Sequence, residues 1–412
     1  LKAYFDNLKF YDSNMIHLTE NGDNKFWLVS PGSIIKNRLL EYGIPIATVD
    51  EVTDPGCYFI DVNGDPQWWN GVLKDKGTPR DHIISVIPDK IKKLVRKRLL
   101  RIVIAGDKEG GMFVSQDFDC FRATTDAIRN AEFPAGSVLI LQGNMKVEQQ
   151  YTEWLIKNNE QRLFEVMYSN TFLKVFFDKD VPPTPVVNYS VTNPNASDYN
   201  SLNRIFRPHR GAHLYKLVKD KILDKGLVSA NQISKLDRTA VHLADTNLVD
   251  YGIVMTTNFP KFIDGDWSQD NAGGQYNIDI YKNSLITVIT ETKFNEDTIF
   301  PTEKIYKPLA LGHPLILFAS AGTLAAMRTL GFRTDWCGID SSYNDIEDDV
   351  ERMQATHNIL LDWVRLPRDE KIKRIMSSMP TIEHNFTLSR NSDFHKDSLL
   401  ESLNRSSRYF ND

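Results

Sequence analysis

Residues 281–332 read YKNSLITVITETKFNEDTIFPTEKIYKPLALGHPLILFASAGTLAAMRTLGF. An apolar run at 285–289 stops at the polar turn Thr290-Glu291-Thr292. Thr302-Glu303-Lys304 is a capping sequence, and it opens a helix that carries Ile305, Leu309 and Leu311. Gly312 and Pro314 end that helix, and a second apolar run follows at 315–318. Strand, loop, helix, strand is a βαβ unit. Its polar residues gather at the carboxyl end of the first strand, the edge where ligands bind in open α/β sheets. A helix start there offers free N–H groups and a positive dipole end to an anion.

The same alternation extends upstream. Strands are expected at 24–29, 82–87, 101–105, 137–142 and 163–167, with helices at 33–42, 117–130 and 146–158. That order predicts a doubly wound, mostly parallel sheet in residues 1–181. Residues 182–200, with Pro182, Pro183, Pro185 and Pro194, read as a linker, although 186–191 is β-prone enough for an edge strand. A second Rossmann-like domain is expected over 201–340, with a short strand at 202–204 and a helix over 209–225. Residues 341–412 form a helical segment whose last helix, 389–406, is expected to pack back onto the first domain. The fold class is therefore α/β, with two Rossmann-like domains facing across a cleft.

Composition narrows the function classes. The chain has 412 residues, 41% hydrophobic and 25% charged, which suits a soluble globular protein of two or three domains. A net charge of −5 argues against a general polyanion binder. Cys57, Cys120 and Cys337 are too far apart for a metal pattern and read as reduced thiols of a cytoplasmic protein. No apolar run is long enough for a transmembrane helix. There is no H-E-x-x-H, C-x-x-C, EF-hand, P-loop or G-x-S-x-G motif. Asp264-Gly265-Asp266 has the form of a metal-holding pair but no strand beside it, so no metal is expected.

Four stretches could carry chemistry. Asn203-Arg204-Ile205-Phe206-Arg207-Pro208-His209-Arg210 follows a strand and starts a helix. Cations there oppose the helix dipole unless an anion is bound, and guanidiniums grip diphosphates in forked pairs. The stretch is thus a phosphate clamp or a solvated basic turn. Thr302-Glu303-Lys304 with Lys307 is a ribose- and phosphate-binding helix start or simply a capped one; Thr290, Glu291 and Thr292 beside it favour a site. The loop 106–111 lacks dinucleotide spacing, and its Asp107 or Glu109 suits general-base work or is an ordinary charged turn. Asn144, past the next strand, is an acceptor-side candidate. The basic run 90–101 places Ile91, Leu94, Val95 and Leu99 on one face, as an ordinary amphipathic helix does; contact with nucleic acid or an anionic membrane is the other reading.

TETKFNEDTIFPTEKIYKPLALGHPLILF resembles the donor-binding motif of two-domain GT-B glycosyltransferases, in the style of the α1,3-fucosyltransferase group. Thr302-Glu303-Lys304 matches T-E-K, and residues 309–314 match L-x-x-G-x-P, with Pro308 where the pattern has Ala. LNRIFRPHR is similar to an Asn-Arg…His-Arg element of glycosyltransferase-like proteins of bacteriophages and marine viruses. The resemblance covers roughly residues 201–330. Residues 292–301 depart from the fucosyltransferases, so GDP-fucose is not implied.

The resemblance implies a hexosyl- or pentosyltransferase that moves sugar from a nucleotide diphosphate sugar to an acceptor hydroxyl. It implies inversion, independence of metal and no cofactor besides the donor substrate. Arg204, Arg207, His209 and Arg210 would then meet the diphosphate with Lys304, and Glu303 and Glu291 would hold hydroxyls. Asp107 or Glu109 would deprotonate an acceptor that is a glycan, a small molecule or a hydroxymethylated base in phage DNA. The expected location is the cytoplasm, that of the host if the protein is viral. A non-catalytic nucleotide-sugar-binding protein would keep the fold without turnover.

Overall fold

The computed structural model describes residues 2–5, 46–48, 55–62, 66, 74–75, 78–79, 82–85, 87–106, 110–169, 182–203, 205–231, 236–261, 277–390, 400–401, 404–406 and 408–410. The chain divides into two compact units, residues 1–171 with 393–412, and residues 172–392.

The first unit runs β1 (Lys2–Phe5), β2 (Ile46–Thr48), β3 (Gly56–Asp61), a small antiparallel ribbon of β4 (Lys74–Asp75) and β5 (Thr78–Pro79), α1 (Asp89–Arg96), β6 (Leu100–Gly106), α2 (Cys120–Asn130), β7 (Val138–Gln142), α3 (Val147–Asn158) and β8 (Glu165–Tyr168). Its main sheet has the order β2-β1-β3-β6-β7-β8, with every pairing parallel. β6 and β7 are buried along their whole length, as the continuous apolar runs require of strands covered on both faces. Phe121 on α2 stacks on Phe113, and Tyr151 and Trp154 on α3 join the same aromatic cluster. Arg101 on β6 is fully buried, and its guanidinium donates to Gly136 O, Ser406 Oγ and the Glu165 carboxylate. Through Ser406 the helical residues 404–406 belong to this unit, so the chain's end does return to the first domain.

The second unit runs α4 (Val187–Thr192), β9 (Tyr199–Asn203), α5 (Pro208–Lys219), a 3-10 turn (Leu223–Lys225), β10 (Gly226–Ala230), α6 (Arg238–Leu243), α7 (Leu248–Asn258), α8 (Ile278–Lys282), β11 (Thr287–Thr290), α9 (Glu303–Leu311), β12 (Leu315–Phe318), α10 (Thr323–Thr329), α11 (Asp349–Arg365), α12 (Arg368–Ser377) and α13 (Met379–Leu388). The sheet order is β10-β9-β11-β12, all parallel. The chain leaves β9 to one side, into β10, and returns on the other side as β11. The strand order therefore reverses between β9 and β11, which is a topological switch point. Both units are α/β, each built on a parallel sheet.

Several expectations need correction. In place of the strand expected at 82–87, residues 83–85 form a turn, with Ser85 N–H bonded to His82 O and Ile84 N–H to the His82 ring. Residues 182–200 are no loose linker: Val186 N–H donates to Leu311 O, and Val186 packs with Leu311 and Tyr281. The β-prone 186–191 is the helix α4, because burial against α8 and α9 overrides strand propensity. Gly312, left-handed at φ +65°, ends α9 where a Cβ would meet Pro185 Cβ at 2.5 Å. The helix expected over 209–225 stops at Lys219 and continues as a 3-10 turn. The basic run 90–101 is α1 followed by a turn and β6, with Ile91 and Val95 buried. Residues 341–412 divide between the two units, and α13 precedes the terminal helix that was expected from 389. The strand at 24–29, the helix at 33–42 and Asp264-Gly265-Asp266 lie outside the described residues. Cys57, Cys120 and Cys337 are buried and joined in no disulfide among the described residues, and no helix among them is long and apolar enough to cross a membrane.

Burial holds several imidazoles neutral: those of His82 and His213 are pulled down to about 3 and that of His313 to about 4, and His209 also lies well below its usual value. A folded-state pKa below the unfolded one means that the unfolded chain takes up protons first. Their contribution is complete above pH ~6.5 and is lost as the pH falls below it, with a slope of up to ~1.4 kcal/mol per pH unit for each imidazole. Urea unfolding between pH 7.5 and 5 should show a midpoint that drops steadily below pH ~6.5; a flat midpoint would contradict this burial.

Candidate functional site

The carboxyl ends of β9 and β11 lie side by side, and the helix that follows each strand starts at the same edge. After β9 the chain passes Arg207, which is extended, and enters α5 at Pro208. Proline suits this first helical position because its missing N–H would have no helical partner anyway. No side chain caps α5, so its first N–H groups are not taken by a cap. After β11, α9 starts at Glu303, with Thr302 Oγ accepting the Lys304 N–H.

Glu291 ties these pieces together. It is 1% exposed. One carboxylate oxygen accepts Thr302 N–H at 2.7 Å; the other accepts the Thr302 hydroxyl and Thr292 N–H, each at 2.7 Å. Its carbonyl accepts the His209 ring at 2.7 Å and the Arg210 guanidinium at 3.4 Å. Arg210 also donates to Thr290 O at 3.1 Å and Ile205 O at 2.7 Å. The Thr290 hydroxyl donates to Asn203 Oδ1 at 2.6 Å, which joins the two strand ends directly. Thus α5 is bonded to the end of β11, and α9 is bonded to the residue that ends it.

This geometry sorts the expected ligand contacts. His209 and Arg210 are both 3% exposed and already serve backbone carbonyls. Burial, followed by repulsion from Arg210, keeps the His209 imidazole neutral, so its Nε2–H is the donor to Glu291 O. Burial, followed by the charge of Arg207, pulls the Arg210 guanidinium down to about 10. Both side chains are buried at this edge with their donors on backbone carbonyls. Glu291 and Thr290 are likewise spent internally and are too buried to hold sugar hydroxyls. Asn144 in the first unit is fully buried, with its side chain bonded to Gln150 and to Lys146 N–H; it shapes the turn into α3. Arg204, Asp107 and Glu109 lie outside the described residues, the last two directly after β6 ends at Gly106.

What faces outward is a smaller set. Arg207 is half-buried and makes no side-chain hydrogen bond or ion pair among the described residues. Lys304 Nζ, 28% exposed, donates to Thr292 Oγ1 at 3.1 Å, Thr302 Oγ1 at 3.0 Å and Glu303 Oε1 at 2.7 Å. Burial works to raise the Glu303 carboxyl, but the charges of Lys304 and Lys307 outweigh it and hold the group below its usual value. Glu303 is therefore an ionised acceptor at the helix mouth, with Lys307 half-buried nearby.

Two supports were not expected from the sequence. Phe294 stacks on the His209 ring at 5.3 Å and carries the Arg352 guanidinium 4.5 Å over its own ring. Arg352 on α11, 1% exposed, donates to Phe294 O at 2.6 Å and Ala319 O at 3.1 Å, and so fixes the loop after β11 to the end of β12. The signal was present: Arg352 sits in the register of Thr356 and Leu360, on the helix face that is buried.

No family profile and no curated protein matches the chain. Among solved structures it is similar to an α,α-trehalose-phosphate synthase (UDP-forming) from Burkholderia vietnamiensis, at 11% identity and TM-score 0.37, covering 89% of this chain and 76% of that one. A glycosyltransferase from Rickettsia africae gives 11% identity and TM-score 0.37, covering 90% and 89%. The catalytic domain of starch synthase IV from Arabidopsis thaliana, bound to ADP and acarbose, gives 11% identity and TM-score 0.31, covering 86% and 75%.

Glu291→Gln keeps the shape of the side chain but puts an amide donor against buried N–H and O–H donors. It should cost about 1–3 kcal/mol of unfolding free energy. Arg207→Ala should stay within about 0.5 kcal/mol of the parent, because no partner is lost. Paired urea titrations check both, and equal losses in the two variants would contradict the assignment.

Proposed function

We propose that the chain is a metal-independent glycosyltransferase that holds the diphosphate of a nucleotide sugar at the carboxyl edge between β9 and β11. The observation that carries this reading is that α5, which starts after Arg207, and α9, with Lys304 in its first turn, both open at the carboxyl edge on either side of the switch point of a parallel sheet. Arg207 sits at the positive end of the α5 dipole and repels Arg210, an arrangement that a bound anion relieves. A diphosphate supplies that charge, and its planar oxygen pairs suit a guanidinium fork.

In the reaction the acceptor hydroxyl loses its proton to Asp107 or Glu109, and its oxygen attacks the anomeric carbon. The bond from that carbon to the phosphate oxygen breaks, and the nucleoside diphosphate departs with the electron pair. Arg207, Lys304 and the α5 N–H groups stabilise the charge that grows on the leaving oxygen. Glu303 accepts hydroxyls of the donor. Attack from the face opposite the leaving group inverts the anomeric centre. The acceptor is a glycan or small-molecule hydroxyl; a hydroxymethylated base in DNA is the second reading, favoured by the basic run 90–101, of which Arg96 is bonded to Ala131 O and Lys92 to Ser85 O.

Thermal-shift assays with UDP-, GDP-, ADP- and TDP-sugars in EDTA test the reading. One donor should raise the melting temperature, and Arg207→Ala and Lys304→Ala should each abolish the rise. Asp107→Asn or Glu109→Gln should keep the rise and lower nucleoside diphosphate release about 100-fold or more. A full rise in both cation variants contradicts the clamp, and donor binding without turnover favours a non-catalytic binder.

A further inference from the structure

The amino edge of the first unit's sheet carries a polar cavity of about 570 Å³. Arg98 and Gly136 line it just ahead of β6 and β7, and Glu165 opens β8; Arg405, Arg408 and Tyr409 come from the chain's end. This is the end of the sheet opposite the one where β6 leads into Asp107. Arg101 lies beneath, paired with Glu165 at 2.7 Å. Arg405 pairs with Glu148 and Glu401, both at 3.2 Å. Arg98 and Arg408 remain: both are exposed, and neither side chain has an ion pair or hydrogen bond among the described residues. The Arg98 guanidinium stands 5.6 Å from the centre of the Tyr409 ring. The Tyr409 hydroxyl is buried and has no hydrogen-bond partner among the described residues.

Two features bear on what the cavity can take. Arg98 is left-handed, at φ +57°, in the position after a helix where glycine is the unstrained choice. The conformation is strained for a non-glycine residue, and it sets a cation at the cavity rim. The lining also mixes guanidiniums with the carboxylates of Glu165 and Glu401. Carboxylates repel an extended polyanion but accept hydroxyls, so the chemistry selects a compact ligand with one anionic end and a hydroxylated body.

We propose that this cavity binds a small sugar phosphate. Arg98 and Arg408 take the phosphate dianion with their guanidinium forks. Glu165 and Glu401 accept sugar hydroxyls, and Tyr409 offers its hydroxyl and an apolar face. Because the lining comes both from the sheet and from residues 401–409, the ligand also fastens the chain's end to the sheet.

Calorimetric titration with glucose 6-phosphate, glucose 1-phosphate, fructose 6-phosphate, ribose 5-phosphate, inorganic phosphate and glucose tests this on the full chain. At least one sugar phosphate should bind tenfold or more tightly than inorganic phosphate, with glucose inert. The double variant Arg98→Asn, Arg408→Gln should weaken that binding at least 20-fold, and Arg207→Ala should leave it unchanged. Asparagine tolerates the left-handed backbone, so the variant should fold. In the unaltered protein the bound sugar phosphate should protect Arg98 and Arg408 from phenylglyoxal, read by mass spectrometry. Binding by none of the four sugar phosphates overturns the proposal, as does equal affinity for inorganic phosphate, undiminished binding in the double variant, or absence of protection.

Discussion

Glu291 is the joint on which the second unit's sheet edge depends. A carboxylate at 1% exposure is tolerable only if its charge is met by strong donors. Three donors at 2.7 Å do so, and all come from its own loop and the start of α9. Its carbonyl meanwhile anchors His209 and Arg210 from the start of α5. Two helices that begin after different strands are thereby fixed to one residue. Such a mount, made of side chains locked by burial and hydrogen bonds, is what a site must have if it is to hold charge in a set place.

The same bonds explain a division of labour among like residues. Arg207 and Arg210 are one helical turn apart, yet one is half-buried with its side chain unbonded among the described residues and the other is a buried brace. Desolvating a guanidinium is costly, and Arg210 offsets the cost with carbonyls of Ile205, Thr290 and Glu291. Its charge stays beneath the edge and adds to the positive potential there. Arg352 repeats the device on the other side of the loop, where it spans Phe294 and Ala319. Arg210 and Arg352 are thus buried cations that serve carbonyls, while Arg207 has no such partner among the described residues.

The βαβ unit was legible because its signals are local. Thr302 as the cap, Gly312 as the stop and the two apolar runs predict β11, α9 and β12 to within a few residues. The switch point was not legible, since strand order is a matter of long-range pairing. Nor was the burial of Arg210, His209 and Glu291, because sequence gives charge and position but not which face meets the core. Helix α4 was misread for a related reason: Val186 and Val187 favour strands locally, and their packing against Leu311 and Tyr281 decides otherwise. Arg352 lay far along the chain and could be tied to the site only by contact.

The account stands on a pyrophosphate bound between the starts of α5 and α9. Crystals soaked separately with UDP, GDP and ADP measure this directly. The account predicts one nucleotide with phosphate oxygens within hydrogen-bonding distance of the Arg207 guanidinium, Lys304 Nζ and the first N–H groups of α5, with Arg210 still on its carbonyls. A diphosphate bound elsewhere, with Arg207 and Lys304 untouched, would contradict it.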